Sequence, residues 1–155
     1  MKKNRHVPGW AVAVCVILMT CGCSGSGRIK TNIVEGTITY EGQPLAGATI
    51  SFTPTGNEGD PAFAQTDAQG RYKLQTLRGE VNAGTTAGEY VVTISKYDFV
   101  PTGRKLRTDD GEMVDETVPK LAIPEIYLDQ GKTQFKRTVV KGRNKFDFEL
   151  NKDGT

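Results

Sequence analysis

Alternation of apolar and polar residues in short runs, each cut off by glycine or proline, is what most restricts this chain. It governs nearly everything after Ile33. Phe146, Phe148 and Leu150 alternate with Lys145, Asp147 and Glu149, the period-2 pattern of a strand with one buried face. Val34, Gly36, Ile38 and Tyr40 do the same against Glu35, Thr37 and Thr39, and Glu41-Gly42-Gln43-Pro44 then reads as a turn. Ala48 to Thr53 is a second strand, and Pro54 to Pro61 has the composition of a loop. Ala62 to Thr66 and Arg71 to Thr76 read as a hairpin closed by Asp67-Ala68-Gln69-Gly70. In that turn Asp67 can accept from nearby backbone and Gly70 can take a positive φ. Glu89 to Ser95 is apolar on both parities, as expected of a central strand.

No segment carries a helical period. Tyr97 to about Leu121 is long and charged, and it reads as a surface loop, with residues 98–122 as its charged part. Thr133 to Val140 is the penultimate strand, with Arg137 oddly placed between Phe135 and Val139; Gly142-Arg143-Asn144 turns the chain into the last strand. These signals predict an all-β fold, an antiparallel seven-stranded β-sandwich over residues 33–155. Phe52, Tyr72, Tyr90, Phe146 and Phe148 are its expected core aromatics.

The first residues carry an address. Lys2, Lys3 and Arg5 precede the short apolar run Trp10 to Met19, and small residues follow. The run is too short to span a bilayer and reads as a signal peptide. The expected division is a signal peptide over 1–22, a lipidated tether over 23–32, and the sandwich. Removing the three basic residues from the 20 in the chain leaves 17 against 18 acidic ones, which gives no general attraction to nucleic acid. All cysteines (Cys15, Cys21, Cys23) and the one histidine, His6, lie in this early segment. Downstream of Cys23 there is neither thiolate nor imidazole, so disulfide scaffolds and histidine-based catalysis are not expected.

The cysteine after the apolar run resembles a bacterial lipoprotein signal. Cys23, preceded by Gly22, fits that pattern better than Cys21, preceded by the bulkier Thr20. Stable anchoring would follow from several acyl chains, at about 0.8 kcal/mol per buried methylene. The domain itself resembles the carboxypeptidase regulatory-like domain, a transthyretin-like (prealbumin-like) sandwich of Greek-key type. The resemblance rests on Val34-Glu35-Gly36-Thr37-Ile38 with Gly42 to Ala48, on Phe52-Thr53-Pro54, on Thr66 to Tyr72, on Ala87 to Val92, and on Ile123 to Tyr127 with Asn144 to Leu150. It implies a non-catalytic module with no cofactor. Its partners would be the membrane, through the anchor, and an envelope protein or polysaccharide. The expected address is the cell envelope, on the inner or outer membrane.

Other groupings read as ordinary surface. Asp67 to Gly70 lacks the repeated acidic ligands of a calcium loop and reads as a structural turn. Asp109, Asp110, Glu112, Asp115 and Glu116 read as solvated charge rather than a metal site, and Lys132, Lys136, Arg137, Lys141, Arg143 and Lys145 as a solvated basic face. A sugar-stacking platform would have to use Tyr40, Tyr97, Phe99 or Tyr127, and these read as core or loop packing. No catalytic, cofactor or metal residue is expected. A carbohydrate-binding module is the alternative, and a carboxylate or metal-assisted hydrolase built on the acidic run is the weakest reading.

Overall fold

The computed structural model describes residues 30–76 and 84–154. The expected signal peptide, Cys21 and Cys23 lie outside the described residues.

Two five-stranded sheets enclose the core. In the first, β1 (Ile33–Tyr40) is central and pairs antiparallel with β2 (Gln43–Pro44) and β5 (Arg71–Lys73). Its other side pairs in parallel with β11 (Arg143–Lys145) and β12 (Phe148–Leu150). The second sheet runs β10 (Lys136–Val139), β7 (Gly88–Ser95), β3 (Thr49–Pro54), β4 (Ala62–Gln65), β6 (Gln75–Thr76), all antiparallel. Val34, Ile38, Leu74, Phe148 and Leu150 from the first side meet Ile50, Phe52, Tyr90, Val92 and Ile94 from the second, all buried. Phe52 touches both Phe146 and Phe148, with ring centroids 6.2 and 6.4 Å apart, and so joins the two layers.

Four expectations need correction. The architecture is all-β and sandwich-like, but the described residues form twelve strand segments rather than seven, because several strands are broken and because β8 and β9 are added. The pairing is mixed rather than antiparallel throughout. The segments around Asp67 are not hairpin partners: β5 pairs with β1 and β4 pairs with β6, so the turn carries the chain from one sheet to the other. Residues 97–121 are not a loop; β8 (Tyr97–Arg107) and β9 (Met113–Leu121) form a separate antiparallel hairpin.

The poles of the sandwich place this hairpin. β1 begins beside Thr85, which Asn32 bridges, and the start of β7 at Gly88 lies at that same end. β7 ends at Ser95, opposite Thr49 at the start of β3. The hairpin therefore leaves the pole opposite the one where the described chain begins. A bond from the Ala122 N–H to the Lys96 carbonyl, 2.8 Å, closes its root.

Candidate functional site

Arg71 to Lys73 and the outward residues of β1 border an open groove of about 660 Å³. Its charges are largely paired. The Arg71 side chain meets Asp67 at 2.8 Å, Arg143 and Lys73 reach Glu35 at 2.6 and 3.9 Å, and Lys145 reaches Asp147 at 3.3 Å. Glu35 is shared by two cations, so four basic side chains face three carboxylates and the groove keeps an excess of one positive charge. In the turn beside it, one Asp67 carboxylate oxygen accepts from the Gln69 and Arg71 N–H groups, both at 2.9 Å, and these bonds hold its pKa below the usual value. Gly70 has φ +72°, and a Cβ there would press on the Ile38 carbonyl. Tyr72 points inward and donates to the Phe146 carbonyl at 2.7 Å; burial pushes its phenol pKa upward, so it remains a neutral donor.

Of the six basic residues near the end, four have partners within the domain, and Lys136 and Lys141 are exposed. Lys132 pairs with Asp129, Arg143 with Glu35 and Lys145 with Asp147. Arg137 turns inward, its guanidinium carbon 4.8 Å from the Phe148 ring centroid and near Phe146 and Phe135. That cation–π contact accounts for an arginine at an otherwise apolar parity.

The acidic run is also dispersed. Glu116 accepts from Arg104 and Thr102, Asp115 faces Lys105, and Asp110 accepts from Thr108 near the hairpin tip. That last hydrogen bond holds the Asp110 pKa below its usual value. Among the described residues no three His, Cys, Asp or Glu side chains converge on a point where a metal could sit.

What remains is the hairpin, which alternation in the sequence did not disclose. Its cross-strand register assigns two faces. Tyr97 opposite Leu121, Phe99 opposite Pro119 and Pro101 opposite Thr117 share one, the aromatic face. Val100 opposite Val118 and Leu106 opposite Val114 share the other, the aliphatic face, with the Arg104–Glu116 pair between them. Phe99 is 70% exposed, Met113 57% and Leu106 51%. Most of the exposed large apolar side chains of the described chain lie on this one element. Exposed apolar side chains gathered on one element are unusual on the surface of a folded domain.

The strand edges are guarded. Lys96 and Ala122 form a hydrogen-bonded pair, so alternation along the ladder puts Phe99–Pro119 and Pro101–Thr117 in pairs whose main-chain groups point outward. Pro101 and Pro119 thus remove one outward N–H from each edge, which opposes strand addition. Recognition by this hairpin is left to its faces. Of the aromatic residues considered for stacking, Tyr127 is buried, Tyr40 packs against the core, and Tyr97 and Phe99 stand together on the aromatic face.

No protein-family model matches the sequence, and no curated protein matches it. Similar solved structures include a 9R-lipoxygenase from Cyanothece PCC8801, at 16% identity and a TM-score of 0.39, over 79% of this chain and 16% of that one. Another is a DUF3823 family protein from Parabacteroides merdae ATCC 43184, at 17% identity and a TM-score of 0.33, over 77% of this chain and 45% of that one. The chain spans less than half the length of each.

Proposed function

We propose that this chain is a lipid-anchored envelope protein whose carboxypeptidase regulatory-like sandwich is a non-catalytic module that presents a binding hairpin. The observation that carries the binding role is the exposed apolar surface of β8 and β9. The anchor rests on the sequence around Cys23, and the non-catalytic reading on the absence of histidine and cysteine after it. Growth with an alkyne-tagged fatty acid tests the anchor. Label is expected on the wild type and lost in Cys23→Ser; label that persists when Cys21 and Cys23 are both serine removes the proposal.

Tyr97 and Phe99 on one exposed face favour a second reading, in which the ligand is an extracellular polysaccharide held by stacking. A glycan array probed with the intact protein should then show binding that Phe99→Ala abolishes. Silence across the array argues for a protein partner instead.

A further inference from the structure

Read in reverse, the aliphatic face of the hairpin repeats its apolar positions and inverts its terminal charges. Its centre is Glu116, neutralised by Arg104 at 2.8 Å and bonded by the Thr102 hydroxyl at 2.6 Å. Two positions toward the root stands Val118, paired with Val100; two positions toward the tip stands Val114, paired with Leu106. Four positions toward the root is Lys120, and four toward the tip is Glu112, both exposed. Neither Lys120 nor the Glu112 carboxylate forms an ion pair among the described residues. The root of this face is cationic, with Lys96 and Lys120 against Asp98. The tip is anionic on balance, with Asp109, Asp110 and Glu112 against Arg107, whose guanidinium lies over Gly111.

We propose that this face is occupied by the same face of a second copy, the two hairpins stacked antiparallel about a twofold axis at Glu116. In that arrangement Val118 and Val100 of each copy meet Val114 and Leu106 of the other, and Lys120 meets Glu112 twice. An isologous contact requires such self-complementarity, since each residue must find its partner in the same surface. The acidic tip opposes insertion into an anionic bilayer, and the internally neutralised centre gives nothing to a polyanion. The proposal does not depend on the lipid anchor, and it leaves the aromatic face free.

The interface is small. A nine-residue strand is about 30 Å long, so two stacked hairpin faces cover roughly 600 Å² in total, below the size of standard stable interfaces. A weak, concentration-dependent dimer is therefore expected. Sedimentation of the full chain in mild detergent, up to about 100 µM, tests it, with circular dichroism to verify folding. Wild type should show reversible dimerisation. Lys120→Glu and Glu112→Lys should each weaken it about tenfold, because two attractive pairs become repulsive, and the double variant should recover it. A monomer throughout, or a dimer indifferent to both charge reversals, overturns the proposal.

Discussion

At the scale of single residues, the break between β11 and β12 is the most demanding point in the fold. Beside it the Phe146 N–H donates to the Glu35 carbonyl at 3.0 Å, and Tyr72 donates to the Phe146 carbonyl. Gly36 lies under that same carbonyl, and a Cβ at Gly36 would collide with its oxygen and carbon. Backbone cannot step aside as a side-chain end can. Gly36→Ala should cost roughly 2–3 kcal/mol and lower the Tm by about 10 °C. An unchanged melting temperature would show that the strands part there without penalty. Asp147 fixes the other half of the break, accepting from the Thr37 hydroxyl at 2.8 Å and the Thr37 N–H at 2.9 Å. The hydroxyl bond is the main reason its pKa lies below the usual aspartate value of 3.8. A carboxyl whose folded pKa is depressed adds stability above the unfolded value and loses it as pH falls through the folded one. Thermal melts between pH 7 and pH 2 should therefore show Asp147→Asn less stable than wild type at neutral pH, with the gap narrowing as pH falls below about 4. The effect is small because the side chain is half exposed to solvent. A gap that stays the same at every pH would assign the loss to the amide's geometry rather than to the charge.

Elements that bury one face were legible in the sequence, and those that bury none were not. β1, β3 and β12 show period-2 alternation because one side of each faces the core, as Val34, Ile38, Ile50, Phe52, Phe148 and Leu150 do. The β8–β9 hairpin has apolar residues on both faces, charges on both faces, and a register shift between Pro101 and Lys105 at which Gly103 takes φ +81°. Alternation reports burial, not extended backbone, so a strand pair without a core looks like a loop. The parallel pairing of β1 with the end of the chain was unreadable for another reason: it joins residues over a hundred positions apart and leaves no local mark. The turn at Asp67 and Gly70 is local, yet which strands it joins depends on partners elsewhere. Because only Leu121, at the root of the hairpin, packs against the core, replacing residues 98–120 with a short glycine turn should shift the Tm by no more than about 3 °C. A collapse in stability would mean that the sandwich leans on the hairpin.

Over the whole molecule, the hairpin and the point where the described chain begins lie at opposite poles. The segment leading to Cys23 joins the sandwich at the pole of Asn32 and Thr85, while the hairpin leaves at Lys96 and Ala122. β1 spans eight residues and β9 nine, so the sandwich is about 25 Å long along β1 and the hairpin about 30 Å from root to tip. A chain held at Cys23 would therefore carry the aromatic and aliphatic faces away from its own membrane. Antiparallel pairing of two hairpins would place the joining points at the far ends of an elongated dimer, suited to facing surfaces rather than to neighbours in one leaflet. The apolar hairpin has one competing explanation at this scale, that it folds back and dips into the bilayer. Fluorophores at Val140 and Met113, both 57% exposed and near opposite poles, separate the two readings in vesicles carrying the lipidated protein and a lipid-borne quencher. Strong quenching at 140 with little at 113 is the expected result, since contact quenching does not reach across the roughly 25 Å of the sandwich. Equal or stronger quenching at 113 would make the hairpin a second membrane contact, and would remove both the outward-facing binding arm and the twofold pairing from consideration.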